Sequence, residues 1–203
     1  MLVLASASPR RQDLLRNAGI AFTVQPADID ETALDDELPL KCAERLARKK
    51  ALAVSKLRPH DLILGADTVV VVDDTMLAKP IDAEDAFRML RMLSGRVHRV
   101  ITGVCMIGPP SDIESDASRA EKSQPWSTEP QVASEITLVT FNELSDRDIR
   151  DYVATGEPMD KAGAYAIQGI ASRWIPRIEG DYSNVVGLPV ALVSRMLRER
   201  KFL

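Results

Sequence analysis

Asp67 is the residue that packing alone explains least. It lies inside Leu62-Ile63-Leu64-Gly65-Ala66-Asp67-Thr68-Val69-Val70-Val71-Val72, and a carboxylate in such a run is costly to bury unless it is paired, binds a metal or opens onto a cleft. Gly65, two residues earlier, permits close approach of a ligand or of another backbone. An edge-strand aspartate pointing to water is the competing explanation. A second candidate is Ser6-Ala7-Ser8-Pro9-Arg10-Arg11, where a helix start would present free N–H groups and two adjacent arginines would add forks for phosphate oxygens. The same residues also suit a capped helix with solvated arginines. Lys79-Pro80 could reach a phosphate or sit on the surface, and Asp28-Ile29-Asp30-Glu31-Thr32 could hold a hard divalent cation or be a solvated acidic loop.

Other chemistries fall away. His60 and His98 lack metal-ligand spacing, which argues against zinc. The chain has no Gly-x-Ser-x-Gly elbow, no Walker lysine loop and no dinucleotide glycine fingerprint. What remains is a set of carboxylates and cations without a built-in nucleophile, a combination that suits metal-assisted attack of water on phosphate.

These side chains need a scaffold, and the composition supplies one. The 203 residues are 45% hydrophobic and 28% charged, enough for one good core or two small lobes sharing one. With 26 Lys and Arg against 30 Asp and Glu, the net charge is −4, which argues against a nucleic-acid partner. No apolar run reaches the roughly 18 residues of a spanning helix, so no membrane association is expected. The apolar opening at Met1 is too short for a secretory leader and lacks a preceding basic region, so a cytoplasmic location is expected. Cys42 and Cys105 read as buried thiols in a reducing compartment.

The pattern predicts a strand over Leu2 to Ala5, then a helix with Ser8 as N-cap, Pro9 at its first position and Gly19 at its C-terminal cap. A second helix is expected from about Lys41 to Leu57, with Cys42, Leu46, Ala53, Val54 and Leu57 on its apolar stripe and Arg45, Arg48 and Lys49 facing outward. The strand around Asp67 turns at Asp73-Asp74 into a hairpin through Leu77, Asp82 caps a third helix that ends before Gly95, and Arg96 to Ile107 is a strand. Residues 108–131, rich in proline, serine and acids, read as a mobile surface insertion. Val132 to Phe141 returns to strand, Ser145 caps a helix ending near Gly156, and Val190 to Phe202 forms a final helix. Strands separated by helices, with one hairpin, predict an α/β protein built on a mixed sheet.

Ser6-Ala7-Ser8-Pro9-Arg10-Arg11, Gly65-Ala66-Asp67-Thr68, Lys79-Pro80, Asp160-Lys161-Ala162-Gly163-Ala164-Tyr165 with Ile167-Gln168-Gly169, and Asn184-Val185-Val186-Gly187-Leu188-Pro189 together resemble the Maf family of nucleoside triphosphate pyrophosphatases. The match runs in order along nearly the whole chain, 1–203, as a single domain; the departure is the 108–131 segment. The resemblance implies a mixed, curved β-sheet with flanking helices and two lobes around a central cleft, similar to inosine triphosphate pyrophosphatases. It implies hydrolysis of a nucleoside triphosphate to the monophosphate and pyrophosphate with a divalent cation, Mg2+ or Mn2+. Carried over by position, Asp67 corresponds to the general base, and Arg10, Thr68 and Gln168 to residues of substrate choice. Glu31, Lys50 and Lys79 correspond to positions holding metal or phosphates, with Glu31 and Asp67 as the metal carboxylates and Ser8 and Arg11 in the phosphate-binding turn. The Asp160-Lys161-Ala162-Gly163 and Ile167-Gln168-Gly169 motifs resemble the branch acting on dTTP and UTP, and a homodimer is usual for such folds. The Gln168 amide offers both a donor and an acceptor to a pyrimidine edge, although a solvent-facing loop glutamine would look the same in sequence. A non-catalytic nucleotide-binding regulator of cell division or septum formation is the alternative function, and a general binder of phosphorylated metabolites a third.

Overall fold

The computed structural model describes residues 1–108 and 129–203. Chain order is β1 (Leu2–Leu4), α1 (Pro9–Asn17), β2 (Thr23–Val24), α2 (Pro39–Ser55), β3 (Leu62–Val72), β4 (Thr75–Leu77), α3 (Ala83–Leu93), β5 (Val97–Ile107), β6 (Gln131–Thr140), α4 (Asp146–Ala154), β7 (Arg177–Glu179), α5 (Tyr182–Val186) and α6 (Val190–Glu199). Between α4 and β7 the chain makes 3₁₀ turns at Glu157–Asp160, Ala162–Ala164 and Ile170–Trp174.

The strands form one open, curved, mixed sheet in the order β2-β1-β3-β5-β6-β7, with β4 paired to the far end of β3. β1 runs parallel to β2 and β3, whereas β3, β5, β6 and β7 pair antiparallel. β3 and β5 are long because their aliphatic, β-branched residues are buried on both faces.

Their two halves serve different cores. Leu62, Leu64 and Ala66 pack with α1 and α6 through Leu15, Leu192, Val193 and Met196. Ile63 on the opposite face meets Ala47, Ala51 and Val54 of α2. Past the middle of the strand, Val70 and Val72 join Leu90 and Leu93 of α3, Ile149 and Tyr152 of α4, and Phe141. Asp67 and Thr68 sit where one packing group gives way to the other, on the stretch of β3 left unpaired along one edge between β1, whose pairing stops at Leu64, and β4, whose pairing starts at Val70.

Two glycines set the height of α2 above the sheet. A Cβ on Gly65 would lie 2.3 Å from the Ala47 carbonyl oxygen, and one on Gly103 would lie 2.4 Å from Ala43 backbone atoms. The neighbour whose close approach Gly65 permits is therefore helix backbone. The apolar stripe of α2 consequently consists of small residues, Ala43, Ala47 and Ala51, together with Cys42, Leu46 and Val54. This corrects the expected stripe. Ala53 is only half-buried, Leu57 lies beyond the helix and is exposed, and Arg45 is half-buried against Glu37 rather than outward.

Asp82 and Ser145 cap α3 and α4 as expected, each side chain accepting the N–H three residues on. Ser8 stands at the N-cap of α1 but its hydroxyl makes no capping bond; Pro9 at the first position removes one of the donors a cap would serve. The proposed insertion falls at 109–128 outside the described residues, and its far end differs from expectation, because Gln131 already pairs with Met106 in the sheet. Cys42 and Cys105 are both buried and unbridged. Among the described residues no helix is long and apolar enough to cross a membrane.

Candidate active site

A cleft of about 880 Å³ opens at that unpaired stretch of β3 and is lined by Ser8, Arg10, Arg11, Glu31, Lys50, Asp67, Thr68, Lys79 and Gln168. These nine candidate residues therefore face one space, although they come from six separate stretches of chain; Asp28 and Asp30 of the acidic cluster are not among its lining. Each reaches it for a local reason. α1 begins at Pro9 directly after β1, which brings its N-terminal turn to the end of the parallel strand pair. β3 contributes Asp67 and Thr68 on opposite faces, as alternation requires. The loop ahead of α2 carries Glu31, the hairpin return carries Lys79, and the segment between two 3₁₀ turns carries Gln168.

Asp67 is 6% exposed, and its Oδ1 accepts a hydrogen bond from Lys50 Nζ at 2.6 Å. Lys50 is equally buried, and its ammonium also lies 2.8 Å from Glu31 Oε1. The aspartate among valines is thus paired, which answers the desolvation problem raised by the sequence. Because the two glycines let α2 lie low on the sheet, Lys50 can reach Asp67 without leaving its helix. Partial burial pushes the Glu31 carboxyl up, but the hydrogen bond and charge of Lys50, with the charges of Lys79 and Arg11, outweigh it and hold Glu31 below the usual carboxylate range.

Two carboxylates that meet the same ammonium and line one cleft are a donor set suited to a hard divalent cation, which typically takes one or two carboxylates and completes its shell with substrate oxygens and water. Among the described residues no group of three or more His, Cys, Asp and Glu comes together. Among the described residues Glu31 and Asp67 are the carboxylates that would hold it, leaving coordination positions open for a triphosphate.

Arg11 is engaged differently from Arg10. Its guanidinium is buried and donates to the Gly187 carbonyl at 2.7 Å, to Ser6 Oγ at 3.2 Å and to Thr68 Oγ1 at 3.1 Å. Burial lowers its affinity for the proton, opposed by the charges of Asp67 and Glu31. Thr68 Oγ1 also meets Thr102 Oγ1 at 2.9 Å, and Asn184 continues the network by donating to Val100 O and Thr137 Oγ1, each at 3.0 Å. Arg11 therefore ties the turn before α1 to β3 and to the Gly187 loop, with Thr68 as part of the tie. Arg10 instead spans the cleft to Asp160, with Nη1 3.2 Å from Oδ2. Partial burial pushes the Asp160 carboxyl up, and Lys161 and Arg10 bring it below its ordinary value.

Lys79 and Gln168 are exposed within the cleft. The Ser8 N–H donates to Ser6 Oγ at 3.2 Å, which folds the turn back on itself. Two cleft residues were not singled out for a role by the sequence: Asp160, which partners Arg10, and Tyr165, whose hydroxyl meets His98 Nε2 at 2.7 Å. Both lie in the Asp160–Tyr165 motif, which marked the stretch without a role for either, since each acts through a partner remote in the chain.

The family model described as Maf-like protein matches residues 1–200. A dTTP/UTP pyrophosphatase of Koribacter versatilis is 53% identical over 97% of this chain and 93% of its own. One from Syntrophomonas wolfei subsp. wolfei is 50% identical over 97% of this chain and 96% of its own. Among solved structures, a nucleoside-triphosphatase / dITP/XTP pyrophosphatase from Mycobacterium abscessus aligns with a TM-score of 0.40 at 14% identity, over 69% of this chain and 72% of that one.

Proposed function

The chain belongs to the Maf family, and from that membership together with the cleft we propose that it hydrolyses dTTP and UTP to the monophosphate and pyrophosphate. The single observation that carries this reading is the meeting of a buried, lysine-paired aspartate with Glu31, Arg10, Lys79 and Gln168 in one cleft.

Asp67 serves as the general base. A carboxylate has several lone-pair sites, so an oxygen that accepts from Lys50 leaves capacity for a water proton. As Asp67 takes that proton, the water oxygen bonds to the α-phosphorus, the bond to the bridging oxygen breaks, and pyrophosphate leaves with the electron pair. Negative charge grows on the phosphoryl and pyrophosphate oxygens, where Lys50, Lys79, Arg10 and the N–H groups opening α1 stabilise it. A divalent cation, Mg2+ or Mn2+, held by Glu31 and Asp67 would add Lewis-acid charge at the phosphate oxygens and make bound water more acidic. Arg11 and Thr68 keep the walls of the cleft in register through the Gly187 carbonyl. Gln168 reads the base: thymine and uracil present a carbonyl acceptor and an N–H donor on one edge, to which one amide can donate and accept.

The reading puts the enzyme in the cytoplasm, as a homodimer acting on free nucleotides. The net charge of −4 supports a small nucleotide over a polymeric nucleic acid, and two unbridged thiols support a reducing compartment.

The deciding experiment is a pyrophosphate-release panel with Mg2+ or Mn2+ over dTTP, UTP, dCTP, ATP and GTP. Release from dTTP and UTP should exceed the others and stop on chelation of the metal. Equal rates across the panel would refute the base preference, and tight binding with no release from any member would make the protein the nucleotide-binding regulator instead.

A further inference from the structure

The loop that presents Gln168 is held by a device remote from the phosphates. The Tyr152 hydroxyl, on α4, donates to Glu157 Oε1 at 2.8 Å and accepts the Ala166 N–H at 3.2 Å. The Glu157 carboxylate in turn accepts the Ile170 N–H, at 3.1 Å to Oε1 and 3.3 Å to Oε2. One hydroxyl and one carboxylate therefore grip both ends of the stretch from Ala166 to Ile170, and Gln168 lies at its middle. Within the grip, the Gly169 N–H closes a turn onto the Ala166 carbonyl at 3.1 Å. Gly169 is itself shaped by the carboxylate, since a Cβ there would stand 2.1 Å from Glu157 Oε1.

The anchor is firm. The Tyr152 side chain is fully buried, its ring edge-on to Trp174 with centroids 5.4 Å apart. Burial pushes its phenol well above the ordinary range, and its bond to Glu157 pushes in the same direction, so the hydroxyl stays a donor. The Glu157 carbonyl also receives Lys161 Nζ, which joins the grip to the Asp160-Lys161 wall of the cleft. Gln168 itself is exposed. An exposed amide discriminates between base edges only if its backbone cannot drift, because a small misplacement of a positioned group forfeits the contact.

We propose that Tyr152 and Glu157 are positioning residues for base selection: they hold the Ala166–Ile170 loop so that the Gln168 amide meets the pyrimidine edge, while taking no part in the chemistry at phosphorus. The proposal rests on the assignment of Gln168 as the base contact made above.

The test compares kcat/KM for dTTP and dATP, which share sugar and triphosphate, so their ratio isolates the base. Tyr152→Phe keeps the buried ring and removes the hydroxyl; Glu157→Gln keeps size and places an amide donor against one of the two donors the carboxylate serves. Each should lower the dTTP to dATP ratio by about tenfold, the scale of losing one net hydrogen bond, with kcat/KM for dATP within twofold of the parent. Gln168→Ala should lower the ratio as far, and Tyr152→Phe combined with Gln168→Ala should lower it no further. A ratio unchanged in folded Tyr152→Phe and Glu157→Gln, while Gln168→Ala lowers it, overturns the positioning role and leaves the base contact standing. An unchanged ratio in Gln168→Ala overturns the base contact itself. Equal losses on dTTP and dATP would mean that the pair supports the fold and nothing more.

Discussion

Asp67→Asn separates the aspartate's chemical role from its structural one. Asp67 Oδ1 and Lys50 Nζ are 2.6 Å apart and both side chains are nearly inaccessible. At an effective dielectric constant of about 20, two unit charges at that distance attract by roughly 6 kcal/mol, most of it offset by the desolvation of both groups. Removing one partner of a buried pair usually costs about 3–5 kcal/mol, because the other charge is left alone. Here the ammonium keeps a second carboxylate, Glu31, at 2.8 Å, and the asparagine carbonyl still accepts. The loss should therefore fall nearer about 1–2 kcal/mol, typical of weakening a single hydrogen bond to a charged group. Lys50→Met lacks that fallback and leaves Asp67 buried without its counter-charge, so it should lose about 3–5 kcal/mol. Turnover of dTTP should fall at least about a hundredfold in Asp67→Asn through loss of the base. Urea denaturation gives the first pair of numbers, and single-turnover pyrophosphate release with a separate nucleotide-binding titration gives the second. An Asp67→Asn protein that is folded and within tenfold of parental turnover would refute Asp67 as the base. One that loses more stability than Lys50→Met would refute the bridging role of Lys50 between two carboxylates.

Three other perturbations have defined outcomes. Burial lowers the His98 pKa to about 3, so between about pH 6.5 and 3 the unfolded chain binds one proton that the native state refuses. Stability should then fall with falling pH by about 1.4 kcal/mol per unit across that window from this group alone, and denaturation of His98→Gln at pH 6 and pH 4 should show a slope shallower by that amount. Asp160→Asn removes the ion pairs of this 66% exposed carboxylate with Arg10 and with Lys161, so stability should change by no more than about 1 kcal/mol while KM for dTTP falls as Arg10 is released to the substrate; a raised KM would mean that Asp160 itself helps to bind. Gly65→Ala puts a methyl 2.3 Å from the Ala47 carbonyl oxygen and should cost about 1–3 kcal/mol by lifting α2, with turnover falling as Lys50 moves off Asp67; unchanged turnover in the folded variant would uncouple the helix height from the site.

Much of this protein could be read along the chain. The run Leu62–Val72 is strand from end to end because its residues are mostly aliphatic and largely β-branched, and Asp73-Asp74 turns it into β4 because two polar residues follow three buried valines. Asp82 and Ser145 start their helices through side-chain bonds to the next turn, which depend only on local spacing. Elements with a weak local signal were missed: β2 and β7 are short edge strands that exist because β1 and β6 offer them partners. The stripe of α2 was read in part: Cys42, Leu46 and Val54 are buried as expected, but the close approach set by two glycines on other elements gives the rest of the contact to Ala43, Ala47 and Ala51 in place of Ala53 and Leu57.

The site divides the same way. Residue type alone marked Asp67, the Arg10-Arg11 turn, Lys79 and the acidic stretch around Glu31 as groups suited to phosphate or a cation, since charge belongs to a residue wherever it sits, while Lys50, Thr68 and Gln168 came from the family resemblance. Tertiary packing decided what each one touches. It gave Asp67 to Lys50, turned Arg11 inward to Gly187 and Thr68, set Arg10 across the cleft against Asp160, and fastened the Gln168 loop through Tyr152 and Glu157. Those pairings join residues far apart in the chain, and their energies depend on distance and burial, quantities that exist only once the sheet and its helices have closed around them.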